Sequence, residues 1–340
     1  MIKCTTCDDI DDKSSEMQLT NNPEENINYY CANFELEKKG LYNIGNSCYI
    51  NSFLQILLHI PQFLYNLKKE YQNTNKKSPL IENIINLSKY PNNKKYLYLI
   101  QEYMNNISPN YSPFHQADSQ TFGIDLINEI ITSIKGDDNS FETDKDVNFN
   151  KKNTNKKKAY TKYVNKYQNT LISLEKMFLI NECFNINNKN IIKYSFFTNL
   201  NIELVFPNKI KTNYNLKDLL NFKYNNTSKK ICKIPKVIII TIVRSFINRE
   251  LISTSLEFPE ELNISDYTDK DLIIKNECLK FKLFAINEKE GIFKKNGHYY
   301  CLIQLRNEWY KFDDRKVNKI NRNSNEAFFS RNVVGLFYII

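Results

Sequence analysis

Ile50, Phe53, Leu54, Leu57 and Leu58 recur at three- and four-residue steps, the spacing of one helix face. Asn46 or Ser47 can cap this helix, and Pro61 ends it. A second helical pattern, "TFGIDLINEIITSI" (121–134), follows the polar stretch "PFHQADSQ". Residues 1–38 are polar and irregular and read as a flexible leader. Between about 135 and 168 acidic, lysine and asparagine residues mix without apolar periodicity, which predicts a flexible insertion. Strand patterns follow: "KVIIITIVR" (236–244), "LKFKLFAIN" (279–287), "HYYCLIQLR" (298–306), "EWYKFDD" (308–314) and "NVVGLFYII" (332–340). The order predicts an α+β fold, helices first and a mostly antiparallel sheet after, and the lack of an internal repeat argues against a solenoid.

Composition narrows the class. With 340 residues, 41% hydrophobic and 13% aromatic, the chain can bury a sizeable core. It has no run of about 18 apolar residues, and its first residues lack the charged-then-apolar pattern of a secretory signal. The expectation is a soluble protein of the cytoplasm and/or nucleus, with no membrane partner. The eight cysteines (4, 7, 31, 48, 183, 232, 278 and 301) are scattered, which predicts reduced thiols and no disulfides. Net charge is +9, from 47 basic and 38 acidic residues. The lysines cluster in polar runs such as "KKNTNKKKAYTK" (151–162), without helix-face spacing or an interleaved base-stacking platform, so solvated loop is preferred to nucleic-acid binding.

Cys48 falls in the first turn of the first helix, where free backbone N–H groups and the helix dipole lower a thiol's pKa. Most free cysteines are buried and inert, so the position acquires meaning only with a base. Of the three histidines, His59 closes an apolar helix and His115 sits in a polar loop. His298 has context: Gly297 precedes it, a strand follows, and the acidic pair Asp313 and Asp314 ends the next strand. A tight turn near Arg306, Asn307 and Glu308 returns that pair beside the histidine. Nucleophile, base and orienting carboxylate are the parts of acyl transfer. An oxyanion donor is also needed, and Asn43, in a glycine-containing loop, can offer its amide beside the Cys48 N–H. An asparagine beside glycine is equally an ordinary turn residue.

Together these stretches resemble the ubiquitin-specific protease family of cysteine deubiquitinases. "GLYNIGNSCYINSFLQILLHIPQF" is similar to the family's Cys box, GLxNLGNTCYMNSxLQxL, and "GHYYCLIQLRNEWYKFDDRKV" to its His box. "HQADSQTF", "IPKVIIITIVRSF" and "LEFPEELNISDY" fall between them in the family's order, and the resemblance runs over about 39–340. It implies a papain-like cysteine peptidase: a helical thumb (about 39–134), the insertion (135–168), fingers (170–235) and an antiparallel-sheet palm (236–340). It also implies Cys48 as nucleophile, His298 as base, Asp313 as orienting carboxylate with Asp314 behind it, and Asn43 as oxyanion donor. Gln116, Asp118, Gly297 and Tyr299 are the implied contacts to the substrate tail, although Asp118 before a helix is as simply an N-terminal cap. Gly45 is expected to turn the loop that faces Asn43 to the oxyanion, Gly40 to start it, and Gly291 and Gly297 to flank the histidine's approach.

The implied partner is ubiquitin or its conjugates, no cofactor is needed, and any activating complex is left open. The chain departs from the family at Thr121, where a glutamate is usual, and in "ITIVRSF", where Thr241, Val243 and Ser245 alter a packing strand. The fingers region holds only Cys183 and Cys232, too few for the family's four-thiolate zinc site, so no metal is expected there. "CTTC" (4–7) and Cys31 lack an obvious fourth ligand. A silent ubiquitin-binding scaffold and a basic nucleic-acid-binding protein are the alternatives to an enzyme.

Overall fold

The computed structural model of the chain describes residues 38–340 apart from 75–76, 137–143, 149–170, 186–190, 205–212, 226, 228, 245, 248–249, 252–253, 270–278, 292–296 and 322–327. The expected leader up to residue 37, with Cys4, Cys7 and Cys31, and most of the expected insertion lie outside the described residues. Helices α1 (Cys48–His59), α2 (Pro61–Asn73), α3 (Pro79–Lys89), α4 (Lys94–Ile107) and α5 (Ser119–Lys135) precede the main run of strands, and α6 (Ser173–Phe178) and α7 (Leu216–Asn225) lie among them.

Every residue of α1 is buried. The apolar ridge read from the sequence accounts for one side, and the opposite side is small or amide-bearing and forms internal hydrogen bonds. Ser119 Oγ donates to Tyr49 O (2.7 Å) and lies 3.0 Å from Ser52 Oγ, while Gln55 Nε2 donates to Lys39 O (3.0 Å). A helix enclosed on all sides needs such partners, because a buried polar atom without one costs about 1–3 kcal/mol. α1 packs between α5 and the strand His298–Leu305. Phe53 meets Phe337 of the sheet edge-on at 5.4 Å, and Tyr49 meets Phe122 of α5 at 5.5 Å. Ile60 is extended (φ −81°, ψ 106°), as a residue before proline prefers, so α1 stops and Pro61 opens α2.

The principal sheet has eight strands. Its order is Lys316–Ile320, Glu308–Asp313, His298–Leu305, Lys280–Glu290, Val333–Ile339, Val237–Val243 and Leu200–Glu203, with Glu261–Asn263 paired to Lys280–Glu290 off that path. All these pairs are antiparallel except Leu200–Glu203 with Val237–Val243. The five strands read from the sequence are among them. Leu305 pairs with Glu308 around Arg306 (φ 49°) and Asn307 (φ 66°), the doubly left-handed two-residue turn that fits strand twist. Ile238, Ile240, Leu336 and Tyr338 belong to the core cluster along this sheet.

Two expectations change. Asp144–Asn148, inside the expected insertion, is a strand at the edge of a second sheet, antiparallel to Ile191–Phe197. An edge strand is held by backbone hydrogen bonds on one side and needs no apolar periodicity, which is why the sequence pattern missed it. Cys183 and Cys232, expected as free thiols, are joined in a disulfide. They are 49 residues apart, but Ile180–Asn185 pairs antiparallel with Lys230–Lys233 and brings them together. That pairing is a tertiary fact no spacing rule reveals. No described helix is long and apolar enough to cross a membrane.

Candidate active site

Two segments some 250 residues apart in sequence meet at the start of α1. Gly40 lies so close to the turn after Glu308–Asp313 that a Cβ on it would fall 2.2 Å from Asp314 O and 2.5 Å from Arg315 C. Leu41 N donates to Asp314 O (3.0 Å) at the same point. Gly40 is therefore the contact that docks the cysteine loop onto the far strand pair, not merely the start of that loop. Gly45 has φ +101°, with no atom nearer its Cβ direction than Pro113 O at 3.9 Å, so its role is torsional, as expected.

Asn43 organises the loop between these glycines. Its Oδ1 accepts from Gly45 N (3.1 Å), Ser47 N (3.4 Å) and Ser47 Oγ (3.3 Å), and its Nδ2 donates to Asp314 Oδ2 (2.9 Å). Ser47 occupies the N-cap position without a side-chain cap, because its Oγ accepts from Ile44 N (2.9 Å) instead. Asp314 itself has φ 50°, tolerated by aspartate in a tight turn. Its Oδ1 accepts from Asn51 Nδ2 (2.7 Å), which also donates to Tyr42 O (3.0 Å). Asn51 was not singled out from the sequence. The signal was present, an amide three residues after Cys48 in an otherwise apolar buried helix.

His298 opens its strand, and Asp313 ends the neighbouring one. The register Cys301 to Phe312 sets Asp313 across from Tyr300, two residues beyond His298 on the same face, so His298 and Asp313 are diagonal neighbours. His298 Nε2 and Asp313 Oδ1 are 2.5 Å apart. Burial raises the Asp313 carboxyl, but the His298 bond, the His298 charge and the nearby Lys311 outweigh it, and the pKa lies below the ordinary value.

The Cys48 sulfur is 3% exposed as a residue and accepts from Gln116 Nε2 (3.1 Å) and the backbone N–H of Tyr299. Gln116 Nε2 also donates to Gly297 O (2.5 Å), so one amide bridges Cys48 and the residue before His298. Among the described residues no hydrogen bond joins Cys48 to His298. Burial pushes the Cys48 thiol up, the Asp314 charge adds to this, and the donors from Tyr299, Gln116 and Tyr49 only partly oppose it. The expected lowering by the helix start is thus reversed: desolvation of a thiolate exceeds the dipole's contribution at this depth. The other described free cysteine, Cys301, is wholly buried and is pushed well up by burial and then by Asp313 and Asp314.

The remaining candidates surround this centre. Asp118 caps α5, its Oδ1 accepting from Thr121 N (2.9 Å), and its Oδ2 accepts from Tyr299 OH (3.3 Å). Burial and then the Asp118 charge raise the Tyr299 phenol, which stays a neutral donor. A Cβ on Gly297 would fall 2.6 Å from Glu290 O, so this glycine serves close approach. Gly291 has φ +108° at the end of the preceding strand. His59 lies apart, its Nδ1 2.7 Å from Gln55 O and its ring against Phe312. His298, Asp313 and Asp314 have ligand atoms within 4.8 Å of one another; the first two are hydrogen-bonded, and Asp314 is held by Asn43 and Asn51.

A model of the ubiquitin carboxyl-terminal hydrolase family matches residues 39–338. The chain belongs to that family. Ubiquitin carboxyl-terminal hydrolase 4 of Arabidopsis thaliana is 22% identical over 328 residues, covering 85% of this chain and 87% of that protein. Ubiquitin carboxyl-terminal hydrolase 17-like protein E of Mus musculus is 27% identical over 107 residues, 31% of this chain and 19% of that protein, so that match spans about a fifth of the mouse relative. Among solved structures, the SAGA Ubp8/Sgf11/Sus1/Sgf73 DUB module aligns with TM-score 0.63 at 18% identity, over 88% of this chain and 67% of that chain. The same module bound to ubiquitin aldehyde aligns with TM-score 0.61 at 18% identity, over 88% of this chain and 69% of that chain. At that identity the likeness carries the fold, an α+β papain-like hydrolase domain. The family is one of cysteine deubiquitinases.

Proposed function

We propose that this member is itself a thiol isopeptidase that cleaves the bond after the C-terminal glycine of ubiquitin in conjugates. The observation that carries the reading is the convergence of Cys48 at the start of α1 with the His298–Asp313 pair of the sheet, around one amide, Gln116. In this reading His298 Nε2 is held by Asp313, leaving Nδ1 to take the Cys48 proton. The thiolate attacks the glycine carbonyl, His298 protonates the departing lysine amine, and water hydrolyses the thioester. Asn43 has one amide hydrogen on Asp314 and a second to offer the oxyanion with the Cys48 N–H.

Gln116 has a role in this scheme before chemistry begins. Its amide occupies both the sulfur and the Gly297 carbonyl, a backbone acceptor that a substrate backbone N–H can use. An arriving glycine tail displaces it, and His298 then closes on Cys48. The tail contact assigned to Asp118 must share a carboxylate already used by the α5 cap and Tyr299, so its contribution is expected to be smaller than Gln116's. Ubiquitin or its conjugates are the partner in this reading, in cytoplasm, nucleus or both, with the 170–235 region gripping the ubiquitin body.

The test is incubation with ubiquitin carrying a C-terminal electrophile, followed by turnover of a ubiquitin-linked fluorophore. The folded wild type is expected to label and to cut, and Cys48→Ala to do neither. A folded wild type that stays unlabelled refutes the enzyme reading. The missing Cys48–His298 bond and the raised thiol favour one alternative, a binding scaffold of the same fold. Ubiquitin binding without labelling or turnover is its signature.

A further inference from the structure

One face of the principal sheet gathers charge beside His298 in a way the triad alone does not require. Alternate residues of three adjacent strands point to it: Glu288 and Glu290, then His298 and Tyr300, then Lys311 and Asp313. The register sets Glu290 opposite His298 and Glu288 opposite Tyr300. Lys311 holds the middle of this array. Its Nζ is 3.4 Å from Asp313 Oδ2, 3.7 Å from Glu290 Oε1 and 3.6 Å from the centre of the Tyr300 ring. Its side chain is 27% exposed, so this ammonium is partly removed from water.

Two physical consequences follow from that placement. Asp313 Oδ1 serves His298, and a carboxylate gripped at one oxygen can still rotate about its last torsion. The ammonium on Oδ2 fixes that rotation and with it the direction of the His298 ring. The second consequence is charge. Asp313 and Asp314 both approach His298 within 4.8 Å, and Glu290 stands across the register from it. Lys311 is a cation touching two of these three carboxylates.

We propose that Lys311 is a positioning residue of the candidate active site, locking the Asp313 carboxylate through Oδ2 and offsetting the acidic groups that surround His298. The inference rests on the hydrolase reading for its kinetic arm only. The groups that face this centre are Glu288 and Glu290 from one strand, and His298 and Tyr300 from the next, with Cys301 behind them on the other face. Lys311 and Asp313 lie on the third strand, Asp314 on its turn, Lys316 opposite Asp313 in register, and Cys48 on α1. Removing the positive charge beside Asp313 favours its protonated form, so the Asp313 carboxyl moves back up toward its ordinary value.

Lys311→Met keeps the stem over Tyr300 and removes the charge, while Lys311→Arg restores it. With the ubiquitin-linked fluorophore as substrate, Lys311→Met is expected to lower kcat at neutral pH about three- to tenfold and to change KM less than about twofold. Both limbs of the kcat/KM profile shift to higher pH, the difference shrinks in high salt, and Lys311→Arg recovers most of the rate and the profile. The Asp313 carboxyl titration followed by NMR reads the same charge without turnover. It moves up in Lys311→Met and returns in Lys311→Arg, even if the wild type proves catalytically silent. An unmoved Asp313 titration in a folded Lys311→Met overturns the proposal. So does an equal loss of rate in Lys311→Arg, or a loss that tracks a drop in Tm and leaves the pH profile in place. Failure of wild-type labelling overturns only the hydrolase reading.

Discussion

Gly40→Ala tests whether the cysteine loop and the histidine-bearing strands are held in register by a backbone contact. A carbon 2.2 Å from Asp314 O and 2.5–2.6 Å from the Arg315 backbone cannot stay there, since ordinary contact begins near 3.4 Å. Both neighbours are main chain, so no side chain can swing aside, and the two segments must separate by about 1 Å. Three hydrogen bonds cross that seam: Leu41 N to Asp314 O (3.0 Å), Asn43 Nδ2 to Asp314 Oδ2 (2.9 Å) and Asn51 Nδ2 to Asp314 Oδ1 (2.7 Å). Overpacking costs about 1–3 kcal/mol, and weakening these bonds adds roughly 1 kcal/mol more, so unfolding in urea should lose about 2–4 kcal/mol. Turnover of the folded protein should fall as well, because displacing a catalytic group by about 1 Å costs on the order of 100-fold. Gly45→Ala is the control: its strain is torsional, worth about 1–2 kcal/mol, with nothing to push against. A Gly40→Ala protein with the wild-type urea midpoint and a rate within twofold of wild type would refute the docking argument.

Two further outcomes follow from the same geometry. Alkylation of Cys48 in the free protein should rise with pH around a midpoint above that of an ordinary thiol. Asp314→Asn, which removes a charge that raises it, should lower the midpoint, and Gln116→Ala, which removes a donor, should raise it further; shifts of the same sign would show that the cause is misassigned. The Cys183–Cys232 disulfide spans 49 residues, so its loss should cost about 4 kcal/mol by chain entropy. A reductant and the double serine variant should lower Tm alike, and an unchanged Tm in both would remove the bridge from the stability account.

Much of this site was legible because its chemistry sits at element boundaries, where sequence grammar is strongest. The apolar spacing around Ile50 to Leu58 placed Cys48 at a helix start, and the Arg306–Asn307 turn placed Asp313 near His298. What escaped was set by partners distant in the chain. Asn51 looks like a misfit in an apolar helix until Asp314 arrives beside it, 263 residues later. Gly40 looked like a loop opener because the Asp314 turn that fills its missing side chain's space is equally remote. Cys183 and Cys232 looked unpaired for the same reason, and Asp144–Asn148 looked unstructured because edge pairing leaves no periodic mark.

A chemical inference also reversed at the Cys48 thiol, and the reversal bears on how such a site works. A helix start does favour a thiolate, but the dipole acts from partial charges, whereas burial removes the solvent that stabilises the whole charge. At Cys48 the second effect is larger, and Asp314, needed to hold Asn43 and Asn51, works in the same direction. The resting thiol is therefore protected, held by Gln116 and out of hydrogen-bond contact with His298. In the proposed hydrolase, activation must bring the imidazole to the sulfur, and the Gln116 amide must leave the Gly297 carbonyl if substrate is to bond there. A backbone N–H from an entering glycine tail, seeking the Gly297 carbonyl that Gln116 now occupies, meets both requirements in one step. In the free protein the raised thiol implies slow reaction with small alkylators, so reactivity toward a ubiquitin-borne electrophile should exceed reactivity toward iodoacetamide by far more than binding alone supplies.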